Sequence, residues 1–361
     1  GSDRNMLFQE PILQWLLQNG GFMDSQVFIL NEKRNVTLTA YLQDDSQEFW
    51  RAKKRPAVVI FPGGAYAYCS DREADPGAQE YLRAGYHTFV LRYSVGWENA
   101  VWPNPLEDYD QAMELIAAHA KEWHLIPEKI AVIGFSAGGH LAACAATMAK
   151  HRPAAAILAY PVILEGLAAI CAKGAPGADK AVDSQTCPCF IAATGTDTTV
   201  SAMNSLRFVE ALYENGISAE LHLYAFGPHG FSTARTSIAD PAELCSRTLH
   251  WVEDSISWLE DVFGAFTSGE MSSPRCPGRV RKDKDPYLSV DCLLATIAEN
   301  QMAVERLNQL ILVEETTQKW IAEQKENLLT SEMTLRSALQ FLNVPGEVIR
   351  KADEILSEIP N

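Results

Sequence analysis

The segment from Lys129 to Ala149 constrains the fold of this chain most, because it predicts a strand, a sharp turn and a helix in direct succession. The apolar run Ile130–Ile133 ends in Gly134-Phe135-Ser136-Ala137-Gly138 and continues into an alanine-rich stretch with helical spacing. Small residues on both sides of Ser136 permit a strained turn that lifts the hydroxyl above the strand end, with a helix N-terminus beneath it. The pattern therefore predicts that Ser136 is displayed as a nucleophile.

A nucleophilic serine requires a histidine base and an acid that orients the base, and the predicted turn is associated with the chain order Ser, Asp, His. Asp197 follows one apolar run, and His229 follows another and lies among glycines. We predict that Asp197 is the acid and His229 the base. The alternative role for Asp197 is a turn or helix cap. The other candidates for the acid are Asp179 and Asp183.

The third requirement of this chemistry is an oxyanion hole, built from the N–H after the nucleophile and an N–H from the loop after an earlier strand. Ala137 supplies the first. The run Ala57–Phe61 predicts the earlier strand, and it leads directly into Gly63 and Gly64 through one proline. Adjacent glycines allow backbone amides to face a substrate oxygen without obstruction. We predict that Gly63, Gly64 and Ala137 form the oxyanion hole.

Strand-like and helix-like segments alternate along most of the chain, which predicts a mostly parallel sheet covered by helices on both faces. Two strand-like runs near the start, Val27–Leu30 and Val36–Leu42, predict a hairpin. Apolar residues between Leu106 and Trp123 recur at steps of three and four, as in a helix that faces a sheet. The long connection Pro161–Thr186 is either a lid or a passive excursion.

Taken together, these motifs resemble the bacterial α/β-hydrolases grouped with acetyl-xylan esterases and small carboxylesterases. The resemblance extends over about residues 27–263 and depends on the Gly63-Gly64 loop, the Arg92-Tyr93-Ser94 run and the serine turn followed by Gly139-His140. It implies an α/β-hydrolase fold and a serine carboxylesterase that removes short acyl groups, such as acetyl, from sugar hydroxyls through an acyl-enzyme. The family usually has a third glycine where this chain has Ala65.

Three aromatic residues of predicted loops, Tyr66, Tyr68 and Trp97, are candidates for a wall that stacks on a sugar, although loop aromatics also pack against their own domain. The expected chemistry needs neither a metal nor an organic cofactor. Two other functions remain as alternatives. One is a peptidase of the prolyl oligopeptidase type, for whose propeller the chain has no room. The other is a hydrolase scaffold whose helical tail mediates protein interaction.

Composition limits the partners of this chain. A formal net charge of −16 argues against nucleic acid and anionic membrane surfaces. The sequence contains no apolar run near the ~20 residues that span a bilayer. Eight cysteines without a dense framework favour reduced thiols and a cytoplasmic enzyme. Gly1-Ser2 resembles a cloning remnant, so secretion of the natural protein stays an alternative.

The chain changes character after Phe263. Residues 1–264 are predicted as the catalytic domain, residues 265–286 as a linker with serine, glycine, proline and basic residues, and residues 287–361 as a helical appendage.

Apolar spacing in the appendage predicts one long amphipathic helix from Leu288 to Leu328, about 60 Å in length. Shorter helices are expected after it, with breaks near Thr330 and at Asn343–Gly346. The apolar stripe of so long a helix must be covered. Folding back into a hairpin is one solution, and pairing with a second copy into a homo-oligomer is the other.

Overall fold

The computed structural model describes residues 24–361, so Gly1-Ser2 and the start of the predicted catalytic domain lie outside the described residues. The chain divides into two compact units. The first extends through Ala181 and includes Thr186–Val209 and Ala219–Cys276, and the second comprises Val182–Gln185, Glu210–Ser218 and Pro277–Asn361. One division point, after Cys276, falls inside the segment predicted as a linker. The division into these three predicted segments stays a prediction.

The first unit is built on an eight-stranded, mostly parallel sheet. Its strands are β1 (Asp24–Asn31), β2 (Val36–Leu42), β3 (Arg55–Phe61), β4 (His87–Arg92), β5 (Leu125–Phe135), β6 (Ala155–Ala159), β7 (Cys189–Thr194) and β8 (Ala219–Tyr224). Their spatial order is β1-β2-β4-β3-β5-β6-β7-β8. The pairs β1–β2 and β2–β4 are antiparallel and the remaining pairs are parallel, which confirms the predicted hairpin and sheet.

Burial along the strands explains why this sequence forms a covered sheet. Every residue of β3, β6 and β7 is buried, so both faces of these central strands are covered. In β2, by contrast, buried and half-buried residues alternate, as expected for a strand nearer the sheet edge.

Helices connect the strands. They are α1 (Asp75–Arg83), α2 (Asn104–His119), α3 (Ala137–Met148), α4 (Glu165–Cys171), α5 (Met203–Glu214) and α6 (Trp251–Phe263). Helix α2 ends four residues earlier than the predicted end at Trp123, whose side chain is nevertheless buried. The connection Pro161–Thr186 contains α4 and a short 3-10 helix, Ala178–Ala181.

The prediction of a single long helix from Leu288 to Leu328 is wrong. Four short helices occupy this range, and two more follow. They are α7 (Leu294–Glu299), α8 (Gln301–Leu310), α9 (Glu315–Glu323), α10 (Lys325–Leu329), α11 (Leu335–Phe341) and α12 (Gly346–Leu356). Asn300 interrupts the first stretch, because its side chain accepts a hydrogen bond from Ala303 N at 3.0 Å and caps α8. The predicted breaks near Thr330 and at Asn343–Gly346 are confirmed.

The apolar residues of the second unit form a separate hydrophobic core. Among its buried members are Leu288, Ile297, Leu307, Leu339 and Leu356. The two ends of the segment 286–361 meet, since Leu288 N donates to Ile359 O at 3.0 Å. Folding back therefore covers much of the predicted stripe, through several short helices and not one hairpin. Pairing with a second copy stays a prediction. Within residues 24–361, no helix is both long and apolar enough to cross a membrane.

Candidate active site

Ser136 lies in a tight turn between β5 and α3. Its backbone has φ 55° and ψ −116°, a conformation that is strained for any residue other than glycine. A Cβ atom on Gly134 would lie 2.0 Å from the carbonyl oxygen of Gly138, and a Cβ atom on Gly138 would lie 2.1 Å from that of Phe61. Only glycine fits at both positions, and the half-buried Ser136 is presented at the strand end as predicted.

Asp197 and His229 follow β7 and β8, which are adjacent parallel strands, so their loops meet at the same sheet edge as the serine turn. The Ser136 Oγ lies 2.9 Å from His229 Nε2. On the other side of the ring, His229 Nδ1 lies 2.6 Å from Asp197 Oδ2. The structure thus brings the three predicted residues into one chain of hydrogen bonds. Asp197, and not the alternatives Asp179 or Asp183, is the partner of the histidine.

The environment of Asp197 keeps its carboxyl ionised. Its side chain is only 1% exposed. Oδ1 accepts hydrogen bonds from Thr199 N and Val200 N, both at 2.9 Å. Burial raises the pKa of this carboxyl, but the hydrogen bond from His229 and those from the two amides outweigh burial and hold the pKa below its ordinary value. An ionised Asp197 accepts a hydrogen bond from the Nδ1–H of His229, which leaves Nε2 free to accept a proton from Ser136.

Two threonine hydroxyls join the loop that carries Asp197 (the acid loop) to the loop that carries His229 (the histidine loop). Thr194 Oγ1 donates to Gly227 O at 2.9 Å, and Thr196 Oγ1 donates to the same oxygen at 3.1 Å. Gly227 has φ 151°, and a Cβ atom there would lie 2.8 Å from Thr194 Cγ2. Glycine is therefore required where the histidine loop approaches β7.

The glycine loop after β3 lies against the nucleophile. A Cβ atom on Gly63 would lie 3.1 Å from Ser136 Cβ. Gly64 has φ 124° and Ala65 has φ 53°, so the backbone turns through the left-handed region, which is unfavourable for Ala65. In the part of the chain that the structure describes, the Gly64 N–H donates to no other protein group.

The prediction that the Gly63 N–H is an oxyanion donor is wrong. Gly63 N donates to the Glu73 Oε2 at 2.7 Å, so this N–H is already engaged by a carboxylate. The N–H groups of Ala137 and Gly64 remain candidate oxyanion donors. Ala137 is the first residue of α3, where an N–H has no intrahelical acceptor, and Gly64 directly follows Gly63, the glycine that lies against Ser136.

Comparison with known proteins supports this reading of the fold. The solved structure of MGS-M1, an α/β hydrolase from a Medee basin deep-sea metagenome library, is 40% identical to this chain, with a TM-score of 0.61. The alignment covers 67% of this chain and 98% of MGS-M1. This chain belongs to the α/β-hydrolase family. The family described as BD-FAE matches residues 48–162 of this hydrolase, a range that contains the glycine loop and Ser136.

Two further relatives indicate the group within the α/β-hydrolases. The structure of the carboxylesterase Cest-2923 from Lactobacillus plantarum WCFS1 is 27% identical, with a TM-score of 0.60, over 66% of this chain and 97% of its own. The acetylxylan esterase of Xylanibacter ruminicola is 29% identical over 48% of this chain and 41% of its own length. The hydrolase is thus similar to acetylxylan esterases and small carboxylesterases. It spans well under half the length of the curated relatives it matches.

Of the three aromatic residues predicted to form a sugar-stacking wall in this hydrolase, Tyr66 is placed elsewhere. Its side chain is 1% exposed, and its hydroxyl bonds to His140 Nδ1 at 2.8 Å. The prediction for Tyr66 is therefore wrong, because a buried ring cannot stack on a substrate. Tyr68 is 61% exposed and Trp97 is 83% exposed, so both are accessible, and their contact with a substrate stays a prediction.

Sequence reasoning missed three buried polar residues of the hydrolase. Glu73 bonds to the glycine loop and to the hydroxyl of Tyr160. His140 follows the serine turn, and its Nε2 donates to Pro176 O at 2.8 Å. Burial lowers the pKa of His140 to about 4, although the bond to that carbonyl acts in the opposite direction. His140 was visible in the family-like motif, whereas no local pattern singles out Glu73 or Tyr160.

Proposed function

We propose that this α/β-hydrolase is a serine carboxylesterase that removes short acyl groups, such as acetyl, from carbohydrate hydroxyls. The observation that carries the proposal is the hydrogen-bonded series of Ser136, His229 and Asp197. Hydrolysis through this series needs a nucleophile, a base and an orienting carboxylate in that order, and the hydrolase supplies each at hydrogen-bond distance.

In the proposed reaction, Ser136 Oγ attacks the ester carbonyl while its proton passes to His229 Nε2. The amides of Gly64 and Ala137 hold the oxyanion of the tetrahedral intermediate. His229 then protonates the leaving alcohol, and an acyl-enzyme remains on Ser136. A water molecule gives its proton to His229 and attacks the acyl carbonyl, after which the acid leaves and Ser136 regains its proton. Asp197 stabilises the positive imidazolium in both steps.

The acetyl and carbohydrate parts of the proposal have separate support. One curated relative is an acetylxylan esterase. The connection Pro161–Thr186 carries few large side chains with which to line a tunnel for a long acyl chain. Tyr68 and Trp97 offer exposed rings of the kind that stack on sugars. We therefore expect an oligosaccharide ester as the substrate.

The test of the nucleophile compares Ser136→Ala with Ser25→Ala, which alters an exposed serine on the edge strand β1. The wild type and Ser25→Ala should hydrolyse p-nitrophenyl acetate and react with a fluorophosphonate probe. Ser136→Ala should do neither while its circular dichroism spectrum stays native. Substantial turnover by purified Ser136→Ala would sink the proposal.

The acyl preference is measured separately with a series of p-nitrophenyl esters. We expect kcat/KM to be highest for acetyl and to fall as the chain lengthens. An optimum at octanoyl or longer contradicts the short-acyl proposal without affecting the nucleophile. Acetylated xylo-oligosaccharide is then the first natural ester to assay.

A further inference from the structure

Glu73 is a buried acid whose two carboxylate oxygens each accept a hydrogen bond near the candidate active site. Glu73 is the last residue of the short 3-10 helix Asp71–Glu73 and is 3% exposed. Oε2 accepts from Gly63 N at 2.7 Å, and Oε1 accepts from the hydroxyl of Tyr160 at 2.6 Å. The reaction proposed above uses neither Glu73 nor Tyr160.

The first of these bonds fixes the glycine loop. Gly63 is held on both sides, because its N–H donates to Glu73 and its carbonyl oxygen accepts from Ser70 N at 2.9 Å. The carbonyl of Gly63 and the N–H of Gly64 belong to one planar peptide and point in opposite directions. Holding the carbonyl therefore aims the Gly64 N–H, the proposed oxyanion donor.

The second bond reaches the histidine loop. The hydroxyl of Tyr160 donates to Glu73 and accepts from Ser232 N at 2.9 Å. The Tyr160 ring lies edge-on to the imidazole of His229, with the ring centroids 4.9 Å apart. Ser232 is tied a second time, since its Oγ donates to Arg72 O at 2.7 Å. The same 3-10 helix thus contacts both the loop that carries Gly64 and the loop that carries His229.

We propose that Glu73 and Tyr160 are a positioning pair that holds the Gly64 amide and the His229 imidazole in register around Ser136. The inference rests on the proposed serine esterase function and assigns no contact with substrate to either residue. Oxyanion donors act only if they are aimed at the position that the oxyanion takes, so a small displacement lowers the rate of the chemical step.

The chemistry of a carboxylate suits this position. Both of its oxygens accept, and both of its partners, an amide N–H and a phenol O–H, donate. A glutamine would accept one bond and present its NH2 group to the other donor. Glu73→Gln should therefore disturb one side of the pair. Tyr160→Phe removes a single oxygen atom and breaks the bonds to Glu73 and Ser232 together.

The experiment compares Tyr160→Phe and Glu73→Gln with Tyr81→Phe in the full chain. Tyr81 is a matched control, because it is also 1% exposed, belongs to the same core and bonds to Ser255 Oγ at 2.8 Å. Stoichiometric titration with a fluorophosphonate counts active sites, so that turnover is expressed per competent site. A trifluoromethyl ketone, which forms a tetrahedral adduct with serine, reports on transition-state complementarity.

We expect kcat per titrated site to fall about ten- to a hundredfold in Tyr160→Phe and Glu73→Gln, with KM for p-nitrophenyl acetate within about threefold of wild type. Binding of the trifluoromethyl ketone should weaken by a similar factor. Tyr81→Phe should keep its kcat per site within about twofold, since its bond joins α1 to α6 and involves neither loop.

Two results would overturn the inference. If turnover per titrated site stays at the wild-type value and only the number of titratable sites falls, the pair is merely structural. If Tyr81→Phe loses as much turnover per site as Tyr160→Phe, the loss is a general effect of core hydroxyls. Failure of the proposed function is a different outcome, because it appears as retained turnover in Ser136→Ala whatever the positioning variants do.

Discussion

The pH dependence of stability offers a direct test of the interior around His140. This imidazole is fully buried and bound on both sides. Because Pro176 O can only accept, the His140 Nε2 carries the proton, and Nδ1 accepts from the hydroxyl of Tyr66. Protonation of Nδ1 would place two donors against each other and a charge in an apolar interior. Burial accordingly lowers the pKa of His140 to about 4 from an ordinary value of 6.5.

The size of the effect follows from linkage. A depressed pKa means that the unfolded chain binds the proton first. The stability that neutral His140 provides is therefore fully present above pH 6.5 and is lost as the pH falls towards 4. The gap between the two pKa values corresponds to about 3 kcal/mol of unfolding free energy, most of which is lost by about pH 4.5.

The assay is urea unfolding of the wild type and of His140→Gln at several pH values from about 7 to about 4.5. Glutamine is neutral throughout, so the stability difference between the two proteins should shrink by about 2–3 kcal/mol on acidification. His87→Gln provides an independent repeat, because burial also lowers the pKa of His87 to about 4. A difference between wild type and His140→Gln that stays constant with pH would refute the reasoning.

Three further outcomes are expected. In steady-state kinetics, kcat should fall by about 10⁴-fold in Asp197→Asn and also in His229→Ala. The double variant should lose little more, because the members of a triad act as a unit. Additive losses would contradict this. Gly63→Ala should lower kcat at least about a hundredfold, since its Cβ would meet Phe135 O at 2.7 Å, whereas Gly166→Ala, with nothing within 4 Å, should be neutral. Deletion of residues 277–361 should leave turnover per titrated site unchanged, and light scattering on the same samples tests whether those residues mediate association.

The serine turn could be predicted because most of its requirements are local. Gly134 is needed for its contact with Gly138 O inside the turn, and the flanking strand and helix each have their own periodicity. The approach of Gly138 to Phe61 O is the exception, because it joins the turn to an earlier strand. The acid and the base could be predicted from chain order, since each follows a strand of the same parallel sheet. Local spacing thus determined which residues reach the sheet edge, but not which atoms they would bind there.

Tyr66 shows what local spacing misses. An aromatic residue beside a glycine loop is equally compatible with an exposed and a buried position, and the partner that decides between them, His140, lies 74 residues away. The same holds for Glu73, whose bond to Tyr160 spans 87 residues. A buried acid is recognisable only once its two donors are known, and here they are separated in the sequence, since Gly63 lies 10 residues before Glu73 and Tyr160 lies 87 residues after it.

The prediction of one long helix in the appendage failed for a different physical reason. Apolar residues continue at helical spacing across Asn300, so the periodicity predicts a buried face without showing where one helix ends. The end is decided by competition between the backbone and the Asn300 side chain, which bonds to Ala303 N and starts a new helix. A chain broken at that point can turn back and cover its own stripe, whereas an unbroken helix requires a partner.

The glycine loop is held from two sides by buried residues that were not among the predicted site residues. Glu73 holds Gly63, immediately before the proposed donor Gly64, and His140 holds Tyr66, two residues after it. Ala65 lies between these tethers with a positive φ that its side chain disfavours, so the loop retains this shape because its neighbours are bonded on both sides. If Gly64 holds the oxyanion, the accuracy of its placement depends on those buried hydrogen bonds, and the glycines supply only the freedom to adopt the shape.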